Sequence, residues 1–254
     1  MILEQTIQHL TTLNLIGMKQ ALQQQIDQPK TFNLSFEERL GLLVDCEKIH
    51  RQNKKIERLL TAAHLRHTAT LEGLDYQTER NLKRDQISQL ATGDWIRQGY
   101  NVVITGPTGV GKSWIACALG HQACRQEYSV LYTRLSMLLE DLRLAQAKGD
   151  YGKRLAKLKV LSLLVLDDWG LDRLNTEQRR MVLDLVEERH PQRSTLITSQ
   201  LPINAWYEVI GDPTIADAIL DRLLSRNHAL TLKGASLRQK SEGQTQLKTS
   251  DAAV

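Results

Sequence analysis

Two rhythms of apolar and polar residues run along the 254-residue chain. From the start to about residue 95, apolar positions recur three, four and seven apart, as in Leu3, Ile7 and Leu10 and again in Leu42, Cys46, Ile49, Ile56 and Leu60. That is the period of helices with one buried face, so this half is expected to be helical. Ser35 followed three residues later by Glu38 predicts a capping box that opens a long helix over about 36–64, and Pro29 and Asn33 mark the break before it. From about residue 100 the pattern changes to short β-branched runs between helical stretches, at 101–105, 129–133, 160–166, 194–198 and 228–232. Five strands alternating with helices predict an α/β fold with a parallel sheet covered on both faces, because each parallel connection needs a crossover of roughly a dozen residues.

Composition narrows the class. With 41% hydrophobic and 24% charged residues the chain is globular in character, and with 5% aromatics its core must be filled by Leu, Ile, Val and Ala. The longest strongly apolar run, 160–166, contains Ser162 and is far short of the about 20 apolar residues of a spanning helix. Met1 to Leu10 carries Glu4, Gln5 and His9 and lacks the basic start and apolar stretch of a signal peptide, so no membrane association and a cytoplasmic location are expected. Three cysteines without C-x-x-C spacing indicate neither disulfides nor zinc, and Cys117 and Cys124, seven apart, read as packing residues.

The net charge is only +4, but the cations are clustered. Lys48, Arg51, Lys55 and Arg58 form a stripe on the long helix, with Lys54 beside them. Residues 143–159 hold Arg143, Lys148, Lys153, Arg154, Lys157 and Lys159 against Asp150 alone, and 6 minus 1 gives +5. Such clusters suit the phosphate backbone of DNA, which positions a protein without specifying sequence. Solvated helix faces are the plain alternative for both.

The strongest chemical signal is Gly106-Pro107-Thr108-Gly109-Val110-Gly111-Lys112-Ser113, a full G-x-x-x-x-G-K-[ST] match between an apolar strand and a helical run. Its glycines let successive backbone N–H groups surround phosphate oxygens, Lys112 reaches the β and γ phosphates, and the Ser113 hydroxyl is placed to ligate Mg²⁺. The apolar run ending in Asp167-Asp168 has the form of a Walker B strand. Asp167 would hold Mg²⁺ and Asp168 would polarise the attacking water. The strand 194–198 ends in Ser199-Gln200; if it lies between the P-loop and Walker B strands, its tip faces the γ-phosphate, with Gln200 the better sensor and Ser199 the second.

GPTGVGKS, LLVLDDWG, LITSQ, ADAILDRLLSR and LKGASLR, in this order and preceded by LSFEERLGLL and GDWIRQGYNVVITG, resemble the IstB-like ATP-binding proteins, helper ATPases of bacterial insertion sequences. The resemblance runs from Leu3 to about Gln239. It implies an AAA+ ATPase close to the DnaC-type helicase loaders, with strand order 5-1-4-3-2 and a small helical lid. The expected organisation is a helical N-terminal domain over 1–70, the ATPase domain over 71–240 and a disordered tail over 241–254. Arg222, in Asp-Arg-Leu, looks like the arginine finger that enters a neighbouring subunit's site, and Arg238 looks like the sensor arginine of its own subunit. The implied cofactors are ATP and Mg²⁺. The implied partners are duplex DNA, a cognate transposase and further copies of the chain in a ring or helical spiral. In the basic segments the expected DNA contacts are Lys48, Arg51, Lys55, Arg58, Lys153, Arg154 and Lys157. A helicase loader is the alternative function; a small-molecule kinase fits the Asp-Asp pair less well, and a nucleotide-gated scaffold without turnover has the short Asp168 as its one hint.

Overall fold

A computed structural model describes residues 2–28 and 33–237, and these divide into two compact units, Met1–Arg58 and Leu59–Val254. The first unit is built from α1 (Ile2–Thr12), α2 (Ile16–Asp27) and most of α3 (Phe36–Ala63). The expected capping box opens α3: the Ser35 N–H donates to Glu38 Oε2 at 2.8 Å and the Glu38 N–H to Ser35 Oγ at 3.2 Å. Gly17 lies where a Cβ would come within 2.6 Å of the Cys46 carbonyl and 2.7 Å of the Glu47 Cα, so only glycine lets α2 approach α3 this closely. Glu47 exploits the contact. It accepts from the Met18 N–H at 3.2 Å and pairs with Arg51 at 2.6 Å, placing a carboxylate at the positive end of α2. The helical period was legible, but the expected buried stripe is not covered: Leu3, Leu42 and Ile49 are 45%, 45% and 56% exposed. Three helices of this size enclose too little volume to bury every apolar position.

The second unit begins inside α3, because Leu59, Leu60 and Ala63 pack into its core together with Ala69 and Leu74. The division therefore falls earlier than position 70. Residues 64–83, expected to be helical, form an irregular strap with no helical turn, followed by α4 (Arg84–Ala91) and α5 (Asp94–Arg97). The strap is held by side-chain bonds in place of a helix ladder: Asp75 accepts from the backbone of Gln77 and Thr78, and Arg80 donates to the Asp75 carbonyl.

Five parallel strands then alternate with helices: β1 (Asn101–Thr105), α6 (Lys112–Arg125), β2 (Val130–Arg134), α7 (Leu135–Ala147), α8 (Tyr151–Lys159), β3 (Leu163–Trp169), α9 (Thr176–Arg189) and β4 (Ser194–Ser199). After a 3-10 turn at Ile203–Ala205 come α10 (Trp206–Ile210), α11 (Pro213–Leu224) and β5 (Asn227–Thr231). The strand order is β2-β3-β4-β1-β5, the expected 5-1-4-3-2 read from the other edge. Side chains alternate across the sheet. Val102, Ile104, Leu163, Val165 and Leu196 face one core with α6, while Val103, Leu164, Leu166 and Ile197 face a second with α7, α9 and α11. Cys117 and Cys124 are buried in the first, and burial pushes both thiols up, Cys124 to about 11, as packing residues require. β3 begins three residues later than its apolar run suggested, since α8 continues through Lys159 and Val160 caps it; the strand consequently contains Asp167 and Asp168. The helical lid, Arg238 and the tail over 241–254 lie outside the described residues.

One buried cation secures the lower edge of the sheet. Arg189, at 2% exposure, donates to the carbonyls of Leu158, Leu161 and Ser194 and to the Thr195 hydroxyl, joining α8, α9 and the starts of β3 and β4. Burial depresses its guanidinium to about 9. Arg189→Met takes the donor away from three carbonyls, two of them buried, and is expected to cost about 3 kcal/mol, lowering the melting temperature by about 8 °C in calorimetry. In the first unit, burial pushes the Glu47 carboxyl up, but Arg51 and the Gly17 and Met18 N–H groups outweigh it and hold it below the ordinary carboxylate range. Its contribution is therefore present above the unfolded value and lost as pH falls through the folded one. Loss of helical circular dichroism as pH falls below the ordinary carboxylate range is expected in the wild type. Glu47→Gln should remove that acid-dependent component.

Candidate nucleotide-binding site

The loop 106–111 connects the buried strand β1 to α6 at the carboxyl edge of the sheet. Gly109 and Gly111 have φ of +82° and +95°, a region that suits glycine, and these torsions turn the loop so that α6 starts at Lys112. Two consecutive carbonyls of the loop are pinned from outside: Gly109 accepts from the Leu237 N–H at 3.0 Å and Val110 from Arg80 Nη1 at 3.0 Å. Arg80 is 3% exposed, and its backbone carbonyl accepts from the Lys233 N–H at 3.0 Å, so strap and β5 extension hold the loop together. The Lys112 Nζ donates to the Gly106 and Pro107 carbonyls, each at 2.8 Å.

Asp167 is fully buried and is the convergence point of the site. Ser113 Oγ donates to its Oδ1 at 2.9 Å, the Thr198 hydroxyl donates to the same oxygen, and the Tyr132 hydroxyl donates to Oδ2. Burial, with the Asp167 carboxylate beside it, pushes the Tyr132 phenol up, keeping it a donor. Ser113 and Asp167 are hard oxygen donors side by side, a pair that fits Mg²⁺. Asp168 stands in a bulge where the β3–β4 register shifts, at φ +60°. The bulge turns it out of the ladder to line the cavity, with its N–H on Thr198 Oγ1 at 3.2 Å and its carboxylate 3.6 Å from Arg134 Nε.

The cavity measures about 610 Å³, room for a nucleoside triphosphate. Its walls include Thr108, Gly109, Gly111, Lys112, Ser113, Asp168 and Gln200 from the expected set. β4 does lie between β1 and β3, and Gln200 accepts from the Thr108 hydroxyl at 2.7 Å. Ser199 does not face the cavity. It is fully buried, donating to the Trp169 carbonyl at 2.7 Å and accepting from the Leu201 N–H at 3.1 Å, because the strand alternation turns it inward. Arg222 is remote from this cavity. Its carbonyl lies 3.2 Å from Asn101 Nδ2, at the opposite end of β1, and its guanidinium pairs with Glu187 at 2.9 Å.

Sequence reading missed Arg66, His67, Asp75 and Arg80 from the strap, Trp114 after the P-loop and Arg134 at the end of β2, all of which line the cavity. The Trp114 and His67 rings meet at a tilt of 37°, 5.5 Å between centroids. Only the β2 residues left a signal: Tyr132 and Arg134 are polar positions two apart at the end of a strand. The basic segment 143–159 is less bare than its own sequence suggested. Arg143 pairs with Glu140, Lys153 with Asp150, Arg154 with Asp141 and Lys159 with Glu188, while Lys148 and Lys157 have no ion pair among the described residues. On α3, Lys48, Arg51, Lys55 and Arg58 are all exposed.

Sheet order, P-loop and paired carboxylates together define a P-loop nucleotide-binding protein of the AAA+ type. Residues 8–245 match the family model of the IstB-like ATP-binding proteins, and the chain belongs to that family. It is 47% identical over 239 residues to a putative insertion sequence ATP-binding protein of Sinorhizobium fredii, covering 94% of this chain and 98% of that one. Among solved structures it resembles the DnaC helicase loader, with a TM-score of 0.51, 22% identity and coverage of 58% of this chain and 86% of that chain. It also resembles the replication initiator DnaA bound to AMPPCP and single-stranded DNA, with a TM-score of 0.56, 17% identity and coverage of 68% and 52%. These two likenesses concern the fold.

A Cβ at position 111 would stand 2.5 Å from Arg80 Nη1 on a backbone that disfavours side chains. Gly111→Ala is therefore expected to weaken binding of a fluorescent ATP analogue at least about tenfold, measured by titration, with the far-ultraviolet spectrum unchanged.

Proposed function

We propose that this chain is a DNA-stimulated ATPase that assembles on duplex DNA without sequence preference and assists a cognate transposase in selecting its target, acting in the cytoplasm. The observation that carries the ATPase part is the junction of P-loop and Walker B strand, where Ser113 Oγ lies 2.9 Å from Asp167 and Asp168 is turned into the same cavity. In this reading the N–H groups at 106–113 bind the β and γ phosphates, Lys112 leaves the loop carbonyls to reach them, and Ser113 and Asp167 hold Mg²⁺. The ion, when bound, neutralises charge on the phosphate oxygens. Asp168 accepts the proton of the attacking water. Gln200, already bonded to Thr108, reports on the γ-phosphate. Arg238 follows Leu237, whose N–H is anchored on the loop, and this supports its role as the sensor of its own subunit.

Arg222 lies about 17 Å from the P-loop along β1, a span its side chain cannot bridge within one chain. That distance supports its action on a neighbouring copy in a ring or spiral, where a guanidinium fork stabilises the charge spread over the transferring group. For DNA, Lys153, Arg154 and Lys157 on α8 and Lys48, Arg51, Lys55 and Arg58 on α3 are the proposed backbone contacts. The pairs that now engage Arg143 and Lys153 are solvent-exposed and that of Arg154 is half-buried, so surface phosphates can replace the carboxylates at little cost for the first two.

Three measurements test this. Asp168→Asn should retain ATP binding and lose at least about 100-fold in turnover in a phosphate-release assay. Arg222→Ala and Lys112→Ala, each inactive alone, should regain hydrolysis when mixed, because the mixed assembly pairs an intact finger with an intact P-loop; no recovery would refute action in trans. Replacing Lys153, Arg154 and Lys157 together with Glu should abolish duplex binding in a polarisation assay. A wild type that hydrolyses ATP only with single strands would favour the loader function.

A further inference from the structure

The two carboxylates at the end of β3 each face an arginine from another part of the chain. Arg134 addresses Asp168, and Arg66, from the strap, stands 4.0 Å from Asp167 Oδ2. Arg66 is 38% exposed at its side chain and lines the cavity beside Lys112 and Ser113. Asp167 does not need it for hydrogen bonding, since Tyr132 serves Oδ2 while Ser113 and Thr198 serve Oδ1. At 4.0 Å the guanidinium is too far for a hydrogen bond to that carboxylate, so its contribution is charge. It stands within ion-pair distance of this buried anion.

We propose that Arg66 is a placeholder for the divalent ion: it balances Asp167 until the ion arrives with the triphosphate, then turns to the phosphate oxygens. Two cations beside one carboxylate repel each other strongly in a partly desolvated cavity, so entry of the ion expels the guanidinium from Asp167. The long, half-exposed side chain can rotate toward the phosphates at the cost of its contact with the Tyr132 hydroxyl, and its planar fork matches the oxygens of a phosphoryl group. Arg66 thereby trades one anion for another, and the site gains a cation on the phosphates from the same chain, in addition to the neighbour's Arg222. This inference rests on the reading of the cavity as an ATP and Mg²⁺ site.

The test is Mn²⁺ binding to the full chain without nucleotide, followed by electron paramagnetic resonance, alongside ATP turnover. Arg66→Ala should bind Mn²⁺ about tenfold more tightly than wild type, because a repelling charge has left the ligand, whereas Arg66→Lys should match wild type. Turnover at saturating ATP should fall about 100-fold in Arg66→Ala and stay well below wild type in Arg66→Lys, which keeps the charge and loses the fork. Unchanged or weaker Mn²⁺ binding in Arg66→Ala overturns the placeholder, and tighter binding with undiminished turnover overturns the turn to phosphate. A wild type without turnover would refute the ATPase reading, while the Mn²⁺ arm would still decide the role of Arg66.

Discussion

Asp167 is the constraint around which the site is arranged. A carboxylate with no exposed surface is tolerated only if its oxygens are hydrogen-bonded, and each donor here comes from a different element: Tyr132 from β2, Thr198 from β4 and Ser113 from the start of α6. The parallel order β2-β3-β4-β1 brings those donors to one edge. Satisfying one anion thus sets the registers of three adjacent strands and seats the first turn of α6 against β3. Asp168 has the opposite circumstances. It is left outside the ladder by the bulge, at a torsion that Asp tolerates better than most residues, and so remains available to chemistry.

Much of the second unit was legible because its signals are local. The five β-branched runs, the glycine-rich loop and the Asp-Asp pair each reveal themselves within a dozen residues. Strand order was reached through resemblance to a family, and residues 101–105 coincide with the observed β1. The offset of β3 has a simple origin: Val160, Leu161 and Ser162 look like strand residues, but the helix before them runs to Lys159 and uses Val160 as its cap.

What stayed hidden is non-local. Nothing in the order Arg66, His67, Asp75, Arg80 announces that these residues border a P-loop beginning 26 residues after Arg80; their meaning comes from an irregular strap whose path is fixed by side-chain bonds to backbone. Helical periodicity before and after that strap drew it into a helical assignment. Ser199 illustrates the converse error. Its polarity at a strand tip suggested a sensor, but alternation points it into the sheet, where it ties β4 to Trp169. In the first unit, periodicity identified α3 correctly and could not tell which side is covered, because burial depends on the partners and not on the period.

The pinning of the P-loop by Arg80 carries a consequence for how such genes can recombine. A crossover between related insertion sequences at the junction of residues 58 and 59 would exchange the whole first unit and leave every cavity residue in its own context. A crossover near residue 95, where the hydrophobic rhythm changes, would pair one parent's Arg80 with the other's Val110 and Lys233. Hybrids of the second kind would carry an intact motif on an ill-fitted support, so the productive seam for swapping the first unit lies within the long helix, well upstream of the apparent border.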